Sequence, residues 1–205
     1  MNDSTVFVVD DDPAMRESLS FLMGSVGIRV KTFEDAQTFL DQHDSGDRGC
    51  LVLDVRMPGM SGLELQEHLI QQDISLPVVM VTGYGDVPMA VRALKSGALD
   101  FIEKPFTDQE LLDRVNEALH VDERLRRLEE KRSLFDARVK RLTERESQVM
   151  RLVVDGKSNK LIAHELGLSP KTVEVHRSRV MDKMEAGSLA QLLRLVIGNT
   201  PRETT

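Results

Sequence analysis

Short apolar runs alternate with amphipathic stretches through the first 120 residues. TVFVV (5 to 9), IRVKT (28 to 32), CLVL (50 to 53), PVVMV (77 to 81) and LDFI (99 to 102) have the length and β-branched content of strands. The stretches near 14 to 26, 35 to 43, 62 to 72, 86 to 96 and 107 to 120 repeat apolar residues at intervals of three and four, as a helix with one buried face does. Strands that are apolar on both faces and alternate with helices form a parallel sheet covered on both sides. The pattern predicts a doubly wound α/β domain with a five-stranded parallel sheet, in which ligands gather at the carboxyl ends of the strands.

The fifth helix meets neither Pro nor Gly until Gly156. Val121, Leu125, Leu128, Phe135, Val139 and Leu142 follow a three-and-four alternation interrupted by Arg132, so a short dimer seam is one reading. The charged stretch DERLRRLEEKR (122 to 132) reads more simply as a solvated helical linker. A break near 138 to 142 opens a second, all-helical segment. There, Thr143 with Glu146 forms a capping-box signature for a helix ending at Gly156. Ser158 caps a helix carrying Ile162, Ala163 and Leu166 on its apolar face, and Gly167 suits a left-handed turn. Ser169 caps the next helix, Pro170 takes its first position and Leu168 staples onto Val173. Two helices joined by so short a turn form a helix-turn-helix from Asn159 to Ser178. Val173, Val180 and Met184 face its core, leaving Lys171, Glu174, Val175 and Ser178 for a major groove. The expected division is residues 1 to 120, a linker from 121 to 138, and a four-helix domain from 139 to 205.

Charge separates the same halves. The net charge is −7 overall, but residues 1 to 120 carry nine basic and twenty-one acidic side chains, and residues 121 to 205 carry eighteen and thirteen. The acidic half repels nucleic acid and the basic half attracts it. No apolar run reaches the length of a membrane span, and MNDSTVF lacks a basic-then-apolar leader, so a cytoplasmic protein without membrane partners is expected. Cys50 has no partner for an internal disulfide, and the five histidines show no zinc-binding spacing.

Polar residues at the strand ends carry the candidate chemistry. Asp10 and Asp11 follow the first strand, Asp54 the third, Thr82 the fourth, and Lys104 lies just past the fifth. Stacked carboxylates repel unless a cation lies among them, and all-oxygen ligands suit Mg²⁺. A carboxylate beside Mg²⁺ can attack a phosphoryl group, with Lys104 as charge partner and Thr82 as hydroxyl donor. One Asp at a strand end is ordinarily a turn or a cap; five such residues on successive strand ends are not. Asp12 stays outside this group, and Cys50 reads as a small buried residue.

VVDDDP (8 to 13), LDVRMPGMSG (53 to 62), VTGYGD (81 to 86) and FIEKPF (101 to 106) resemble the receiver domain of bacterial two-component response regulators, whose fold is flavodoxin-like. The resemblance implies that Asp54 is the phosphoacceptor, assisted by Lys104 and Thr82. It also implies an acidic pair, Asp10 and Asp11, and Mg²⁺ held there with Asp54 and the Arg56 carbonyl. Thr82 and Phe101 would be the switch pair, and Lys104-Pro105 a turn with a cis bond. LTERESQVMRLV, SNKLIAHELGLS, KTVEVHRSRVMDKM and SLAQLLRLV resemble the LuxR and FixJ type of DNA-binding domain. That implies DNA contacts from Lys160, Lys171, Thr172, Glu174, Val175, Arg177, Ser178 and Arg179, with Glu174 where relatives often carry Lys.

The whole reads as a FixJ-type response regulator, a phosphoacceptor and not an enzyme. A sensor histidine kinase would phosphorylate it, and the homodimer would then bind a two-fold operator and act on RNA polymerase, as an activator. The alternatives are a phosphohydrolase with an aspartyl-phosphate intermediate, against which Arg56 stands where a second Asp belongs, and an interaction protein that needs no phosphate.

Overall fold

The computed structural model describes residues 4–44, 46–83 and 87–199, without the Val87 side chain. Residues 84 to 86, which include the end of VTGYGD and the expected start of a helix, lie outside the described residues. The chain divides into two compact units between Arg126 and Arg127.

The first unit alternates β1 (Thr5–Val9), α1 (Pro13–Ser25), β2 (Arg29–Phe33), α2 (Ala36–Gln42), β3 (Gly49–Asp54), α3 (Gly62–Gln71), β4 (Val78–Thr82), α4 (Val87–Lys95), β5 (Asp100–Glu103) and the start of α5 (Asp108–Lys140). Each strand lies within a residue or two of its predicted position. All pairs are parallel, in the order β2-β1-β3-β4-β5. Side chains of alternating parity face opposite sides. Phe7, Val9, Leu51, Leu53 and Met80 pack against Phe39, Leu65, Leu69 and Ala93 of α2, α3 and α4. Val6, Val8, Cys50, Val52, Val79, Val81 and Ile102 pack against Leu19 and Met23 of α1 and Leu111, Val115 and Ala118 of α5. Cys50 is completely buried, and that burial pushes its thiol far above the ordinary range.

Opposite the carboxyl ends of the strands, Gly49 lies where a Cβ would fall 1.8 Å from the Thr5 carbonyl oxygen. Its N–H donates to Oδ2 of Asp122 at 3.0 Å, a carboxylate only 1% exposed. Arg126 donates through Nε to both Asp122 oxygens, at 2.8 and 3.0 Å, and through Nη2 to the Asp47 carbonyl. A carboxylate removed from water this far needs such partners.

The second unit holds the end of α5 with α6 (Glu144–Val154), α7 (Asn159–Leu166), α8 (Pro170–Lys183) and α9 (Leu189–Asn199). The predicted local grammar is realised: a capping box joins Thr143 and Glu146, Ser158 and Ser169 cap α7 and α8, Pro170 opens α8, and Gly167 has φ 65°. Residues 121 to 138, read above as a linker, are shared between the units. Asp122 and Arg126 belong to the first, while Phe135, 9% exposed, lies in the second core with Val149, Ile162, Val173, Val180, Met184 and Leu192. The apolar stripe on α5 is therefore no continuous free seam: Val139 and Leu142 also pack into this core, and Leu128 is exposed.

Candidate functional site

The parallel register carries the polar residues to one edge of the sheet. Val9 pairs with Phe33 and Leu53, Asp54 with Val81, and Thr82 with Glu103, so Asp10, Asp54, Thr82 and Lys104 end four adjacent strands. Asp10, Asp54 and Thr82 are buried, and Asp11 is exposed at the rim. The Lys104 ammonium lies 2.8 Å from Oδ2 of Asp10 and 3.0 Å from Oδ1 of Asp54. The second oxygen of each carboxylate accepts from the backbone: Asp12 N–H donates to Asp10 at 2.9 Å, and Arg56 N–H to Asp54 at 2.8 Å.

Burial raises the Asp54 carboxyl above its ordinary pKa; the Lys104 hydrogen bond and charge oppose this, and Asp10 adds to it. Burial works against the Lys104 charge, but the two carboxylates outweigh it and raise its pKa. Two carboxylates share one ammonium, so negative charge is in excess at the site. Among the described residues, no three acidic, imidazole or thiol side chains converge into a ready metal cage. Mg²⁺ needs none, since it keeps several waters and takes one or two carboxylates. The all-oxygen donor set and the unbalanced charge fit such a hard cation.

Two supports were invisible in the pattern. Gly62 opens α3 where a Cβ would fall 2.2 Å from the Asp54 carbonyl oxygen, and its N–H donates to Val55 at 3.0 Å. No other residue lets α3 begin so close to Asp54. Asp12, left outside the group above, caps α1 by accepting from the Ala14 N–H. Thr82 and Phe101 project from one sheet face, because Met80 pairs with Phe101 and Thr82 with Glu103; Phe101 is half-buried against the core. The Lys104–Pro105 bond is cis.

In the second unit Lys160, Lys171, Glu174, Val175, Ser178 and Arg179 are exposed, while Val173 and Val180 are buried beneath α8. Thr172 is half-buried, its hydroxyl 2.8 Å from that of Ser169. Arg177 is also half-buried, and its Nη1 donates to Oδ1 of Asn159 at 2.7 Å. His176 is partly buried, with Nδ1 enclosed and unbonded.

Comparison with known proteins gives two family matches: residues 6–116 match the response regulator receiver domain, and residues 140–196 the bacterial regulatory proteins of the luxR family. The transcriptional regulatory protein FixJ of Bradyrhizobium diazoefficiens is 47% identical over 192 residues, covering 94% of each chain. The transcriptional regulatory protein TdiR of Thauera aromatica is 44% identical, over 96% of this chain and 86% of that one. Among solved structures, the response regulator StyR is 47% identical with a TM-score of 0.88, covering 95% of this chain and 98% of that one.

Proposed function

The chain belongs to the two-component response regulators, joining a receiver domain to a LuxR-type DNA-binding domain in the manner of the FixJ transcriptional regulators, and on that premise we propose that Asp54 is its phosphoacceptor. The observation that carries the proposal is the Lys104 ammonium bridging Asp10 and Asp54 at the carboxyl end of the central strand. The donor is a phosphohistidine of a sensor kinase. As the Asp54 oxygen bonds to phosphorus, the P–N bond breaks and its electron pair returns to the imidazole. The Arg56 N–H fixes the rotation of the attacking carboxylate, and Lys104 neutralises charge on the arriving group. Asp10, Asp11, Asp54 and the Arg56 carbonyl would hold Mg²⁺, which supplies further charge neutralisation when bound.

Thr82 and Phe101 form the switch pair in this reading. The Thr82 hydroxyl follows the phosphoryl group and Phe101 repacks on the same sheet face, which alters the α4 and β5 surface and favours a homodimer. The dimer presents two α8 helices to a two-fold operator and engages RNA polymerase, as an activator. Lys160, Lys171 and Arg179 meet phosphates; Thr172, Glu174, Val175 and Ser178 face the groove. The protein modifies itself and turns over no external substrate. No helix among the described residues is long and apolar enough to cross a membrane.

Intact mass after incubation with a small acyl phosphate and Mg²⁺ tests the centre of this reading. One phosphoryl addition is expected on the parent and none on Asp54→Asn; equal labelling of both removes Asp54 from its role.

A further inference from the structure

Arg177 sits on the helix proposed to read DNA, yet its guanidinium is engaged inside the protein. Its Nη1 donates to Oδ1 of Asn159 at 2.7 Å, joining residues 18 apart in the chain. Lys160, Lys171 and Arg179 nearby are exposed, with no ion pair among the described residues.

The place of this bond in the unit gives it a purpose. α7 is eight residues long, and the turn at Gly167 fixes only its carboxyl end to the start of α8. Asn159 is the first residue of α7, and Arg177 is the eighth of α8. Both therefore lie one α7 length, about 12 Å, from the turn. Two helices hinged at a short turn open and close like a V, and a polar bond across the open end fixes the angle. Apolar packing of Ile162 and Ala163 against Val173 and Val180 holds the helices together, but such contacts lack the direction of a charge-assisted hydrogen bond.

We infer that Arg177 is a positioning residue for operator binding, acting through Asn159 to fix the angle at which α8 meets the groove. It serves DNA recognition without being one of the phosphate contacts. This rests on the reading of α8 as the DNA-facing helix, and the test separates the two.

The test uses the full-length protein, phosphorylated with a small acyl phosphate, on a duplex selected by that same protein from a random library. Affinity is followed across a salt series for the parent, Arg177→Met, Asn159→Ala, the double variant and Lys171→Ala. Methionine keeps the packing of the arginine stem, so the fold is preserved. Arg177→Met and Asn159→Ala should each weaken binding about tenfold, and the double variant should weaken it no more than either, because both remove one bond. The log-log salt slope should stay at the parent value in all three, whereas Lys171→Ala should lower it by about one unit. A slope reduced by about one unit in Arg177→Met, with Asn159→Ala binding like the parent, overturns the inference and makes Arg177 a phosphate contact. An unchanged slope in Lys171→Ala instead overturns the DNA-facing assignment beneath it.

Discussion

Replacing Glu146 by Gln should remove most of the acid sensitivity that this residue confers on the DNA-binding unit. Glu146 is 2% exposed, and its Oε2 accepts from Thr143 N–H at 2.8 Å and from Lys183 Nζ at 2.6 Å. The Lys183 hydrogen bond, then the Thr143 N–H, hold its carboxyl well below the usual range, at about 2 against an ordinary 4.5. A depressed folded-state pKa means that the stabilisation is complete above about 4.5 and disappears as pH falls through about 2. That difference corresponds to about 3 kcal/mol. The Lys183 side chain is 31% exposed, so solvent screening lowers the expected contribution to about 1–2 kcal/mol. Hydrogen exchange of α6 and α8 amides reads the opening of this unit separately from the receiver. At pH 6 the parent should exceed Glu146→Gln by that amount, and the gap should close towards pH 2. A gap that is the same at both pH values refutes the argument, because an ion pair cannot survive protonation of its carboxylate.

Phe135→Ala should destabilise the second unit by about 3 kcal/mol, and a fragment beginning at residue 139 should melt below one beginning at Arg127; equal melting temperatures would show the end of α5 to be dispensable. Gly62→Ala should slow acyl-phosphate labelling of Asp54, since the new Cβ, 2.2 Å from the Asp54 carbonyl oxygen, forces the backbone to move; labelling at the parent rate would contradict that. Phosphorylation should raise the sedimentation mass towards a dimer, and substituting the exposed Val91 and Leu94 of α4 by Ser should prevent it; a dimer unaffected by those changes would place the contact elsewhere.

Strand positions, the caps at Thr143, Ser158 and Ser169, and the sheet edge bearing Asp10, Asp54, Thr82 and Lys104 were all legible in the sequence, because each depends on residues close in the chain or on strand periodicity. What periodicity cannot encode is a partner. Glu146 reads as a capping residue, but its bond to Lys183 joins residues 37 apart. Asp122 reads as one charge in a solvated run, yet Gly49 and Arg126 hold it in the interior. Arg177 looks like its basic neighbours until Asn159 is placed beside it. Gly62 is a further case: its glycine answers to the Asp54 carbonyl alone, and no local rule asks for it.

The strand order gives the receiver a short side and a long side. Asp54 ends β3, the central strand, and only β4 separates it from β5, an edge strand of four residues with Glu103 exposed, Asp100 and Phe101 half-covered and Ile102 buried. At about 4.8 Å per strand, a displacement beginning beside Asp54 has roughly 10 Å of sheet to cross before it reaches solvent. Thr82 and then Phe101 lie along that line on one sheet face. Distance alone does not select the direction, since β2 is as near on the other flank; the arrangement of side chains does. In the row that crosses the sheet through Leu53, Phe101 on the β5 side is only half-buried, whereas Val9 and Phe33 on the other flank are buried. On the proposed reading, phosphorylation at the middle of the sheet would therefore be felt first at the β5 edge.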